Sequence, residues 1–338
     1  MKVLLTGHQG YLGTVMAPVL AAAGHEVIGL DTGWFAANVL GPRPVDPPTI
    51  QRDLREVEVA DLEGFDAVIH LAALSNDPLG SLAPEITYDI NHHASSRLAR
   101  LAKQAGVSRF LYSSTCSVYG AAGSGLVGED AELAPVTPYA VSKVRVESDL
   151  LELADDSFTT VSLRNATAFG FSPRLRADIV LNNLIGYALL TGEVLVKSDG
   201  TPWRPLAHAG DIADVFAAAL VGPAGTVQGK AINVGDESNN VTVAEIAEAV
   251  AAETGATVRI TGEAGNDPRS YRVDFSLLRA TLPSVRVHRS IADGARELAA
   301  AYRTYGMTQQ AFDHTFVRLE RIKELQEAGL LNAELRVA

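Results

Sequence analysis

Val3-Leu4-Leu5-Thr6-Gly7-His8-Gln9-Gly10-Tyr11-Leu12-Gly13 opens the chain and decides its fold. The short apolar run reads as a buried strand, and the three glycines read as a tight turn feeding a helix. Gly7 allows the turn, Gly10 lets the backbone approach a pyrophosphate, and Gly13 lets the helix sit close to the sheet. The free N–H groups at such a helix start, and its positive dipole end, suit an anion. The spacing G-x-x-G-x-x-G is one residue longer than the G-x-G-x-x-G dinucleotide fingerprint.

The helix runs to Ala23 and stops at Gly24; His25–Leu30 is then a second buried strand ending at Asp31, 18 positions past Gly13. A carboxylate there accepts hydrogen bonds from ribose hydroxyls and repels a 2′-phosphate, which predicts NAD rather than NADP. Thr32–Pro48 holds four prolines and reads as a long loop. Ile50–Leu54, Asp66–Ala73, Ser108–Ser113 and Phe158–Leu163 read as further strands. Pro84–Ala105 reads as a helix, and Thr137-Pro138 opens another that runs to about Ala154. This alternation predicts an α/β chain: a doubly wound parallel sheet of Rossmann type.

Beyond Arg164 the rhythm loosens. A helix over Asp178–Leu190, a strand at Glu193–Val196, a helix over Asp211–Leu220 with Asp211 as N-cap, and a strand at Ala231–Val234 are expected. Thr242-x-x-Glu245 is a capping box opening a helix to Gly255, and the tail from Ile291 to about Ala328 reads as two helices broken at Gly306. Residues 1–165 are therefore expected to form a nucleotide-binding domain to which 205–240 returns. Residues 166–204 and 241–338 form a smaller α/β substrate-binding domain with C-terminal helices.

The 338 residues carry a formal charge of −12, which argues against a nucleic-acid partner. The single cysteine, Cys116, allows no intrachain disulfide and no cysteine-rich metal site, so no metal is expected and a reducing compartment fits. Met1-Lys2 leads straight into the first strand, leaving no room for a signal peptide, and no apolar run reaches membrane-spanning length. A cytoplasmic protein without a membrane partner is expected.

Tyr139-Ala140-Val141-Ser142-Lys143 puts a phenol and an ammonium on one helix face. A nearby cation favours the phenolate, and such a tyrosine can take a proton from a substrate hydroxyl and return it. Y-x-x-x-K alone is a common accident on surface helices. Here it follows a nucleotide fingerprint and the segment Tyr112-Ser113-Ser114-Thr115-Cys116-Ser117-Val118-Tyr119-Gly120, whose hydroxyls fall where a parallel sheet places its ligand.

On these residues the sequence resembles the extended short-chain dehydrogenase/reductase family, in particular its NAD-dependent nucleotide-sugar epimerases and dehydratases of the UDP-galactose 4-epimerase type. The resemblance runs from Lys2 to about Asp274, strong over the first 165 residues and loose after 240. It implies NAD contacts from Gly7, Gln9, Gly10, Tyr11, Leu12, Gly13, Asp31, Leu71, Ala72, Ala73, Asn91, Ser113, Tyr139 and Lys143, with Asp53 and Leu54 facing the adenine. It implies Tyr139 as acid/base, assisted by Lys143 and by Thr115 as the hydroxyl that bonds the reacting sugar oxygen. For the substrate it implies Ser75, Thr115, Thr167, Asn182, Asn183, Arg204 and Arg269, Arg204 suiting a diphosphate. Arg174, Arg176 and Arg272 are further loop candidates.

Two departures bear on the reaction. Thr167 stands where many relatives carry Asn, removing an amide that helps hold the substrate. Cys116 and Ser117 stand where the family's 4,6-dehydratases carry Asp and Glu, so elimination of water lacks its acid and base. The resemblance therefore implies epimerisation, most simply at C4 through a 4-keto sugar, in a homodimer built on Pro84–Ala105 and Thr137–Ala154. A dehydrogenase, a 4,6-dehydratase and a non-catalytic NAD sensor are the alternatives.

Overall fold

Lys2–Thr6 forms β1, and parallel strands gather on both sides of it. The computed structural model describes residues 1–75, 83–121, 125–263 and 269–337. The strands that follow are β2 (Glu26–Asp31), β3 (Thr49–Gln51), β4 (Ala67–His70), β5 (Arg109–Thr115), β6 (Leu126–Val127) and β7 (Thr159–Asn165). After them come β8 (Thr167–Phe169), β9 (Glu193–Val196), β10 (Trp203–His208), β11 (Lys230–Val234), β12 (Asn240–Thr242), β13 (Thr257–Ile260) and β14 (Arg272–Val273).

Seven of these form one parallel sheet in the order β11-β7-β5-β4-β1-β2-β3. The chain winds outward in opposite directions from β1 and β4, which leaves a crevice at the strands' carboxyl ends. Such strands are covered on both faces, which is why β4 is buried throughout and β1 and β5 almost so. The polar end of β4 is satisfied inside. His70 Nδ1 lies 2.7 Å from Thr6 Oγ1 and Nε2 lies 2.8 Å from Ser95 Oγ, tying β4 to β1 and to the helix beginning at Ser95. Burial, with the Lys143 charge adding to it, pushes the imidazole down to about 3, so it is neutral.

Helices α1 (Tyr11–Ala22), α2 (Pro84–Tyr88), α3 (Ser95–Gln104), α4 (Pro138–Leu153) and α6 (Ala209–Val221) flank this sheet. A second apolar core lies between α5 (Val180–Thr191), α7 (Val243–Thr254) and α8 (Ile291–Thr304), around Phe169, Leu181, Ile185 and Leu298. The small sheet β12-β10-β8 lies between the two cores, and α9 (Arg318–Glu327) follows α8. α7 opens on the reciprocal capping box of Thr242 and Glu245.

Several boundaries differ from the sequence expectation for local reasons. β5 extends to Thr115 rather than Ser113, so the hydroxyls lie on the strand itself. The strand expected to reach Leu54 ends at Gln51, because the Asp53 side chain accepts from Arg55 N–H and starts a tight turn over Leu54–Glu56. The helix expected over Pro84–Ala105 is broken by a wide turn at Asp89–Ala94. β8, β10, β12 and β13 had no sequence signal, being short and, apart from β10, largely half-exposed.

Asp211 is not the N-cap of α6. β10 runs straight into the helix, and His208 caps it by accepting from Gly210 N–H at 3.1 Å. Asp211 sits one turn in, with no exposure, accepting from the backbone N–H groups of His288 (3.2 Å) and Arg289 (2.9 Å) and from the Arg289 guanidinium. It thus fastens the segment before α8 to the large sheet's helical layer. Asp211→Ala is expected to destabilise the fold by about 3 kcal/mol, because three donors lose a buried charged acceptor. Urea unfolding of the two proteins checks this; an unchanged midpoint would remove Asp211 from the architecture.

Candidate active site

The turn after β1 is built for close approach. Gly7 has φ +74°, and a Cβ there would lie 2.8 Å from Ala72 N; a Cβ on Gly13 would come 2.3 Å from Gly7 O. Side chains at either position would push α1 away from the mouth of β4. No side chain caps α1 at Gly10, so its first-turn N–H groups face the crevice available for an anion. At the end of β2 the Asp31 carboxylate is oriented by two backbone donors, Gln9 N–H at 3.0 Å and Gly33 N–H at 2.9 Å.

These elements border a cleft of about 1490 Å³ at the carboxyl edge of the sheet. Gly7, Gly10, Tyr11, Leu12, Gly13, Asp31, Asp53, Leu54, Leu71, Ala72 and Ala73 line it from the carboxyl ends of β1, β2, β3 and β4 and the turns that follow; Ser113 and Thr115 line it from β5, Tyr139 and Lys143 from α4, and Thr167, Asn183, Arg204 and Arg269 from β8, α5, β10 and the segment before β14. Ser75 also lines it, and receives Arg176 Nη1 at 3.1 Å.

Thr137 caps α4 by accepting from Ala140 N–H, and Pro138 occupies its first turn, which fixes where Tyr139 points. Tyr139, Lys143 and Glu147 follow at four-residue spacing and share one face. Lys143 Nζ donates to Ser113 O at 2.7 Å and lies 4.6 Å from the Tyr112 ring centroid and 5.5 Å from that of Tyr139. Burial pulls its ammonium down to about 7 against the opposing pull of Glu147. Thr115 accepts from Ser117 N–H at 3.1 Å through Oγ1. Asn165 donates to Ser113 Oγ at 3.0 Å and Ser114 O at 3.2 Å, leaving its own carbonyl oxygen without a partner among the described residues.

Beneath this floor Glu147 accepts from Ser114 Oγ and from Arg164, whose Nη2 lies 2.7 Å away and Nε 3.1 Å from both carboxylate oxygens. Arg164 Nη1 donates to Tyr119 OH at 2.9 Å, and Tyr119 OH donates to Asn233 Oδ1 at 2.7 Å. Burial works against the Arg164 charge, and Glu147 more than offsets it. Cys116 points into this layer rather than the cleft: its thiol donates to Arg164 O at 3.1 Å, and burial pushes it far above the ordinary thiol range.

Three sequence candidates are placed outside the cleft. Asn91 uses its amide on Leu74, accepting from N–H at 2.7 Å and donating to O at 2.9 Å. Asn182 is buried and serves Gly170 and Arg176 backbone groups. The Gln9 side chain turns to Asp46 at 3.0 Å. Among the loop arginines, Arg174 is engaged with Asp46 and Thr14, Arg272 stacks on Trp203, and Arg176 lines the cleft paired with Asp178. Sequence reasoning missed Trp34, Phe35, Tyr271 and Arg318 as cleft residues. Each arrives from a loop or a distant helix with no local pattern; the aromatic pair inside the proline-rich loop was the one available signal.

The residues present fit a dinucleotide: a glycine turn too close for side chains, an uncapped helix start, a ribose-height carboxylate and a deep polar floor with an unpartnered carbonyl. The model of the NAD-dependent epimerase/dehydratase family matches residues 3–235. The chain belongs to that family. Among its members, the UDP-glucose 4-epimerase of Azospirillum brasilense is 30% identical over 239 residues, 65% of this chain and 68% of that one. Of solved structures, the NAD-dependent NDP-hexosamine 5,6-dehydratase TunA superposes with a TM-score of 0.80 at 25% identity, over 90% of this chain and 98% of its own. MoeE5, solved with UDP-glucuronic acid and NAD, gives 0.77 at 28% identity over 90% and 99%. This family member is an NAD-dependent enzyme of Rossmann-type α/β fold.

The Lys143 environment makes a signed prediction. Folding lowers its pKa from 10.5 to about 7, so between those values the unfolded chain binds the proton that the folded protein has released. Stability without ligand therefore rises with pH from about 7 upward relative to Lys143→Met, and the difference flattens below 7, where both states are protonated. Urea titrations of both proteins between pH 6 and 9 measure it; parallel curves would refute it.

Proposed function

We propose that this enzyme interconverts the C4 epimers of a nucleoside-diphosphate sugar through a transient 4-keto sugar. The observation that carries the proposal is the convergence of Thr115, Tyr139 and Lys143 on the cleft, with no carboxylate at the two positions that follow Thr115. A dehydratase needs an acid and a base beside C5 and C6 to expel water. Here Cys116 faces the protein interior and Ser117 carries only a hydroxyl. The names of relatives such as the Azospirillum 4-epimerase, and the UDP-sugar bound by MoeE5, support the same substrate class.

In this mechanism Gly7, Gly10, Tyr11, Leu12 and Gly13 hold the NAD pyrophosphate, Asp31 its adenosine ribose, and Lys143 its other ribose. NAD, when bound, supplies the acceptor for the C4 hydride and gives it back. Tyr139 takes the C4 hydroxyl proton, with Thr115 Oγ1 donating to the same oxygen as it becomes a carbonyl. Lys143 steadies the phenolate electrostatically across the 5.5 Å to the ring. Arg204 and Arg269, on the far side, grip the sugar's diphosphate while the keto sugar turns over. With the other face of the C4 carbonyl presented for hydride return, Tyr139 gives its proton back to the C4 oxygen, so that C4 is inverted with no net oxidation. Asn165, with its free carbonyl, is placed to accept from the nucleotide or sugar at the floor.

Proton NMR of the holoenzyme with a panel of UDP-, dTDP-, GDP-, CDP- and ADP-sugars tests this directly. A new anomeric signal that reaches the same ratio from either epimer is expected; a 4-keto product lacking its C6 hydroxyl, or accumulating NADH, would overturn it. Tyr139→Phe is expected to lose about a thousandfold in turnover while keeping NAD, since only the proton carrier is removed. Near-normal turnover in that variant would end the assignment of Tyr139.

A further inference from the structure

Arg318 begins α9, outside the stretch matched by the family model, and reaches back into the cofactor end of the cleft. It is 6% exposed, and its Nη1 has no hydrogen-bond partner among the described residues. Among the described residues its guanidinium makes one hydrogen bond, Nη2 to Arg174 O, long at 3.3 Å. Its plane is fixed instead by stacking 4.1 Å from the centroid of Phe35, in the loop just after Asp31. A buried cation this poorly bonded is costly unless a ligand completes it. Burial, with Arg176 adding to it, pulls its pKa down to about 9, while Asp178 and Asp31 pull the other way.

The location says what the ligand is. Arg318 lines the same cleft as Asp31 and the uncapped start of α1, and the carbonyl it touches belongs to Arg174, which itself bonds Thr14 in α1. Arg204 and Arg269, proposed above to grip the sugar's diphosphate, come instead from β10 and the segment before β14. We propose that Arg318 is a cofactor anchor, donating through Nη1 to the NAD pyrophosphate and closing the site from the C-terminal arm. The inference rests on the placement of NAD given above, and not on which sugar reaction follows.

The arm is fastened for that task. Arg321 Nε donates to Trp34 O at 3.2 Å, and Ile322 and Leu325 pack in an apolar cluster with Leu74, Trp34 and Phe35. Farther along, Arg55 donates to Glu334 O at 2.8 Å and Leu335 O at 2.7 Å while also holding Asp53. That end of the cleft and the arm are therefore one bonded unit, in which Arg318 Nη1 and Trp34 Nε1 are buried donors without a hydrogen-bond partner among the described residues, and of the two only Arg318 carries a charge.

Calorimetric titration of NAD-stripped protein tests the assignment. Arg318→Met keeps the stem over Phe35 and removes the fork; NAD binding is expected to weaken about tenfold or more, while adenosine and UDP bind within twofold of wild type. Purified Arg318→Met should also carry less resident NAD by chromatography of the denatured protein. Unchanged NAD affinity, an equal loss for adenosine, or a loss for UDP instead would each overturn the proposal. Arg318→Lys, which preserves the charge, serves if the methionine variant does not fold: an intermediate loss confined to NAD supports the anchor, and no loss sinks it. Wild-type NAD binding, measured first, tests the underlying placement separately.

Discussion

A buried carboxylate holds this active site in register. Glu147 lies one turn beyond Lys143 on α4 and is bonded by Ser114 from β5 and by the guanidinium of Arg164 from β7. Taking an ion pair out of water is expensive unless every lone pair and N–H is met, and here Tyr119, Asn233 and the Glu129 carbonyl complete the set. An apolar cluster in the same place would pack as well, but it would let α4 slide along the sheet. The charged network permits one register, and that register sets Lys143 against the Ser113 carbonyl and Tyr139 over the cleft. Tyr139 and Lys143, the acid/base pair of the proposed mechanism, are thus located by groups beneath the cleft floor.

The same logic divides what was legible in the sequence from what was not. The large sheet was readable because its strands are covered on both faces and so appear as apolar runs, and because the turn after β1 leaves no room for a Cβ at Gly7, which would come 2.8 Å from Ala72 N. Tyr139 and Lys143 were readable because their spacing is local. The small sheet was not: β8, β10 and β12 are three to six residues long, and partly exposed, leaving no period to detect. Asp211 was misplaced because capping depends on where the preceding strand ends, and the backbone partners of Asn91 and Asn182 were not legible because they lie in different segments from the amides. Arg174 and Arg318 look like ordinary arginines in sequence; their burial follows from a fold that brings a proline-rich loop and the last helix together.

That meeting has a consequence for how the protein comes into being. Arg55 is bonded to Leu335, 280 positions later, and Trp34 to Arg321, 287 positions later. The seven-stranded sheet has all its strands once β11 is made, yet part of the cleft wall near Asp31 is missing until α9 and the segment after it have been synthesised. Closing so long a loop carries an entropic cost that grows only slowly with length, but it must wait for the chain to exist. A chain that stopped before α9 would therefore leave the cleft without Arg318 and Ile322 and without the bond that holds Trp34.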